Sequence, residues 1–136
     1  MAEQAVPADD GERGSAVVDF VLVSLLILTL LLAVLQLAVY VHLRNVVTAS
    51  AQEGARFAAN ADVDSGLGAA RTVEIVARAT TARTAAGLSC TSAEEADPSG
   101  LTVVVVRCTG SVPTLLSPLG DVLPLTATGR AVKEQA

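Results

Sequence analysis

Polar and apolar positions divide the chain into four stretches of different period. Residues 1–14, MAEQAVPADDGERG, are polar, acidic and broken by Pro and Gly, with no hydrophobic period. They read as a disordered leader. From Phe20 to Val41 the sequence is apolar, interrupted only by Ser24, Thr29 and Gln36. At about 1.5 Å per residue a helix over these 22 residues spans about 33 Å, enough to cross a hydrocarbon layer of about 30 Å. The helical pattern continues through HLRNVVTASAQEGARFAANA (42–61), with small residues at Ser50, Ala51, Gly54, Ala55 and Ala58 on one side and Gln52, Glu53 and Arg56 on the other. This spacing is that of a small-residue packing stripe suited to partner helices. It predicts one helix from about Ser15 to Asn60.

The breaker DVDSGLG (62–68) separates that helix from a second, expected over Leu67–Ala86, capped by Ser65 and ended by Gly87. Its thin apolar stripe is Ala69, Val73, Val76 and Thr80, and Glu74 and Arg78 stand at i,i+4, the order that favours an ion pair. The pattern then turns β-like. A short strand at Leu88–Thr91, a polar loop at Ser92–Gly100, a strong strand at Leu101–Val112, a Pro-bounded stretch at 113–118 and a last strand near Leu123–Val132 are expected, with Pro124 marking an edge or a strand start. Three antiparallel strands need a helix on one face. The fold class is α+β, with a leader (1–14), a long helix (15–61) and a small domain (62–136).

Composition narrows the function. In 136 residues, 51% are hydrophobic, yet there is no Trp, one Tyr and two Phe, so the apolar content is Ala, Val and Leu. That suits a membrane helix and a thin core better than an aromatic-lined pocket for a small-molecule substrate. The net charge of −5 offers no basic patch for nucleic acid. One histidine, His42, beside Tyr40 at the end of the apolar run, reads as a headgroup-level residue. DVDSG resembles the start of a calcium loop, but its glycine comes a position early and the closing glutamate is missing. Arg71, Arg78 and Arg83 fit a solvated helix face. No nucleophile with its base, no metal set and no cofactor loop is present in the sequence, which points away from an enzyme. Cys90 and Cys108 form either one disulfide or two free thiols. A bridge would close a loop worth about 3 kcal/mol in the chain-entropy model, and its persistence outside the cytosol would put the carboxyl-terminal part there.

Asp19 remains, a carboxylate at the mouth of the apolar run. A lone charge at mid-membrane costs about 2.5–3.5 kcal/mol on insertion scales. The helix dipole offsets part of this in the first turns. A cut after Gly14 would leave an ammonium on Ser15, and a pair with Asp19, in the same chain or a neighbour's, costs less than the lone carboxylate.

Glycine, serine, an acidic residue five positions past the glycine and then an apolar helix form an arrangement that resembles type IV pilin-like proteins. GERGSAVVDFVLVSLLILTLLL together with LRNVVTASAQEGARFAANA, about residues 11–61, is similar to the TadE-like minor pseudopilins of tight-adherence (Tad/Flp) pilus systems. The resemblance implies that a prepilin peptidase cuts between Gly14 and Ser15, and that Asp19, one methylene shorter, stands where the family usually has glutamate. It implies a single-pass inner-membrane protein, amino terminus cytoplasmic and domain outside, with other pseudopilins and pilus assembly proteins as partners. The start typical of type IVa pilins, Phe-Thr-Leu-Ile-Glu, is missing. The competing expectation is an uncleaved, signal-anchored binding protein.

Overall fold

The computed structural model describes residues 10–113 and 122–135, with side chains over 14–112 and 123–135. The expected leader falls outside these up to residue 9, as does most of the Pro-bounded stretch 113–118. The chain divides into two compact units, Met1–Leu35 and Gln36–Ala136. Helix α1, Asp10–Ala59, contributes to both. It starts earlier than the sequence suggests, since residues 10–14 are helical rather than disordered. Gly14 costs such a helix only about 1 kcal/mol relative to Ala.

The first unit, over its described residues, is bare helix. Its most apolar window of 18 residues has a mean hydropathy of 2.9 and none of it is buried. Phe20 is 73% exposed, and Val17, Leu26, Leu31 and Val34 are similarly open.

The second unit is a three-stranded antiparallel sheet with helices on one face. Helix α2 spans Leu67–Ala79 and α3 Ala82–Ala86. Strands β1 (Ser89–Ala96), β2 (Thr102–Pro113) and β3 (Val122–Val132) lie in the order β1-β2-β3. Val104, Val106, Cys108 and Val112 alternate along β2 onto the helix side, where Val47, Ala51, Ala55, Val76, Leu125 and Ala127 complete the core. Pro124 sits near the start of β3, an edge strand, where its missing N–H costs no ladder bond.

Four expectations are corrected. The helix expected over 67–86 is broken in two. Thr80 leaves helical geometry while its hydroxyl donates to the Val76 carbonyl at 2.7 Å, and Thr81 starts α3 by accepting from the Thr84 N–H at 3.1 Å. Consecutive threonines thus compete with the backbone ladder. Ser65 does not cap α2: the Asp64 carboxylate accepts from the Gly66 N–H at 2.7 Å, and the Ser65 hydroxyl turns to Glu94. The buried stripe of α2 is Gly68, Thr72 and Val76. Finally, β1 runs through most of the expected loop. Its Ser92 hydroxyl donates to the Ser65 carbonyl and Glu94 accepts from Ser65. The inward positions of this edge strand thus meet a polar loop, and no apolar alternation marks it in the sequence.

Candidate functional site

Two faces of α1 carry the residues singled out in the sequence. Gly14, Ser15, Val18, Asp19 and Leu22 line one shallow strip of its first turns. Ser15 and Asp19 are four residues apart, so they lie one above the other about 6 Å along the axis. Asp19 is exposed, and every described neighbour in this unit belongs to the same helix. The strip offers one carboxylate and one hydroxyl amid apolar side chains. That set can hold a cationic group.

The second face is the small-residue stripe, and here the structure revises the expectation. Ala51, Ala55 and Ala58 are wholly buried, and Ser50 and Gly54 nearly so. Their neighbours belong to the same chain. A Cβ on Gly54 would approach the Gly68 carbonyl oxygen to 2.6 Å, and one on Gly68 would meet Ala58 and Val106. A Cβ on Gly129 of β3 would collide with the Ala51 carbonyl. Glycine and alanine are therefore needed where α1 crosses α2 and β3 at close range. The stripe meets the domain's own sheet and α2 instead of partner helices.

Gln52, expected on the side of the helix away from the stripe, clasps β3. Its amide donates to the Arg130 carbonyl at 3.0 Å and accepts from the Arg130 N–H at 2.9 Å, as a neighbouring strand would. Tyr40 donates to the Pro124 carbonyl at 3.1 Å farther along. At the other end of the domain Lys133, the only lysine in the chain, donates to the carbonyls of Ala58, Asn60 and Val63 at 2.7–3.1 Å. Ala58 lies in the last turn of α1, and Asn60 and Val63 lie just past its end, where a cation also suits the dipole. Sequence reasoning missed both roles. A lone lysine just past the last strand was the available signal, but its target is some 70 residues away.

Cys90 and Cys108 are directly opposed across β1 and β2 and are joined in a disulfide. Glu74 pairs with Arg78, as the spacing predicted, and also with Arg71 at 3.0 Å. Arg71 stacks 5.5 Å from the centre of the Phe57 ring. His42 and Arg83 are exposed. On the open face of the sheet Arg107 donates twice to Glu95, and these hydrogen bonds, aided by the guanidinium charge, hold the Glu95 carboxyl below its usual range. Among the described residues no group of three or more His, Cys, Asp or Glu is placed to hold a metal ion.

The bare part of α1 from Gly14 and its clasped part as far as Arg56 coincide with a known family segment. Residues 14–56 match the TadE-like protein family model. The TadE-like segment covers 43 of the 136 residues, so it takes in Asp19, the apolar run and Gln52 but none of the sheet. No curated protein and no solved structure matches the chain.

Proposed function

We propose that the chain is a minor pseudopilin of a Tad/Flp-type pilus or a related secretion filament, cut after Gly14 by a prepilin peptidase. The observation that carries this is an uncovered apolar helix bearing Asp19 within a TadE-like segment that begins at Gly14. The helix crosses the inner membrane once, with residues 62–136 outside, where the Cys90–Cys108 bridge would persist. The new Ser15 ammonium pairs with an Asp19 carboxylate of its own or a neighbouring pseudopilin. The small-residue stripe is occupied within the domain, so assembly contacts fall to the first turns of α1 and the apolar run.

The rival is an uncleaved anchored binding protein. One observation favours it: α1 begins at Asp10, so the Gly14–Ser15 bond lies within a helix that a peptidase must first unwind. Intact mass and amino-terminal sequence of the membrane-extracted chain separate the two. A start at Ser15 is the expected result. A start at Met1 or Ala2 would sink the pseudopilin reading.

A further inference from the structure

The apolar run and the folded domain overlap. Counting the roughly 20 residues that a hydrocarbon layer requires, the run from Phe20 reaches about Val39. The second unit already begins at Gln36. Gln36 is 4% exposed, and Val39, Tyr40 and Leu43 pack against the core. On the other side of the same turns Leu37 and Val41 are 63% and 44% exposed. This stretch of helix therefore has one side suited to lipid and the other covered by protein. If the run lies in the bilayer, the protein beside it lies at the bilayer boundary too.

What stands beside it is the Tyr40 contact with Pro124, and a shallow depression lined by Leu43, Arg83, Thr84, Gly87 and Ser111. Charge is distributed to match. Among the described residues, the exposed charged side chains at this end include Arg44 and Arg83, with His42 next to them. Of the described acidic residues of the unit, Asp62, Asp64, Glu94, Glu95, Asp97 and Glu134 gather at the opposite end, around the α1 terminus and the β1–β2 turn. Cationic groups near an anionic leaflet surface gain about 1 kcal/mol each, and Tyr is favoured at headgroup depth.

We propose that the end of the domain formed by Tyr40, His42, Leu43, Arg44, Arg83 and Ser111 is a membrane-contact surface seated in an anionic lipid headgroup layer. The inference rests on the membrane-spanning reading above. It makes the bilayer, rather than another protein, the occupant of this end, and leaves the acidic end and the open sheet face pointing away from lipid.

The chain has no Trp, so single substitutions report position by fluorescence. The full chain is reconstituted in vesicles of phosphatidylcholine and phosphatidylglycerol in equal parts, with the phosphatidylcholine brominated either near the carbonyl end or near the tail of its acyl chains. Leu28→Trp, within the run, is expected to be quenched by the tail-brominated lipid. Ser111→Trp is expected to be quenched severalfold more by the carbonyl-end lipid than Ser99→Trp in the β1–β2 turn. Quenching at Leu28→Trp with equal, weak quenching at the two serine positions overturns this inference alone. Absence of quenching at Leu28→Trp overturns the spanning reading as well. Hydrogen exchange on the unsubstituted chain guards against misfolded variants: amides of α3 should exchange more slowly in these vesicles than in detergent, while those of residues 97–100 should not change. Equal change at both sites overturns the proposal.

Discussion

Asp19 and Glu95 are carboxylates in two different settings, one on a bare helix and one beside Arg107 on the sheet. Replacing Asp19 with Asn keeps the shape and removes the charge, so membrane insertion should hold or improve while recovery of partner pseudopilins in a pull-down falls. Undiminished recovery would count against the ion-pair role. Glu95 tests a different kind of dependence. Its folded pKa lies below the unfolded one because Arg107 donates to it, so its contribution is complete above the ordinary glutamate range of about 4.3 and is lost as pH falls through the depressed value. Thermal midpoints followed into acid should therefore drop less steeply in Arg107→Gln than in the parent chain. The pair is solvent-exposed, and the difference should be small.

Legibility at the level of elements followed the strength of local pattern. The long helix announces itself by its unbroken apolar run, and the Val-rich β2 and the Pro124 edge strand by apolar, β-branched residues bounded by turn signals. β1 does not, because SCTSAEEA meets a polar loop on its inner side, and the α2–α3 break rests on two threonines whose hydroxyls choose between side-chain and backbone partners. The stripe at Ala51, Ala55 and Ala58 was legible as a packing surface, but its partner was not: small residues mark close approach without saying what approaches. A single substitution separates the alternatives. Ala55→Leu should destabilise the domain by about 1–3 kcal/mol or more through overpacking, read by urea unfolding in detergent. Unchanged stability with weakened assembly would return the stripe to partner helices.

Across the whole molecule, a thin core of Val and Ala gives little margin, and the Cys90–Cys108 bridge becomes a large share of it. The chain-entropy model assigns about 3 kcal/mol to a link of this span, 18 residues apart in sequence. Reductant should lower the unfolding midpoint of the domain, and a Cys90→Ser, Cys108→Ser chain should lose the response. The family segment and the rest of the sequence divide the work unequally. The matched residues supply the bare helix and half of the helix–sheet contact, while the sheet that completes it lies wholly beyond the match and had to be read from pattern alone.

The Gln52 clasp joins residues 78 apart, and the Tyr40 contact residues 84 apart. Synthesis at about 5–20 residues per second delivers β3 on the order of 4–16 s after the turn of α1 that it will cover. For that interval Ala51, Gly54, Ala55 and Ala58 have no sheet to meet. The surface sealed in the finished protein is an open one in the nascent chain, and timing rather than affinity decides whether another helix reaches it first.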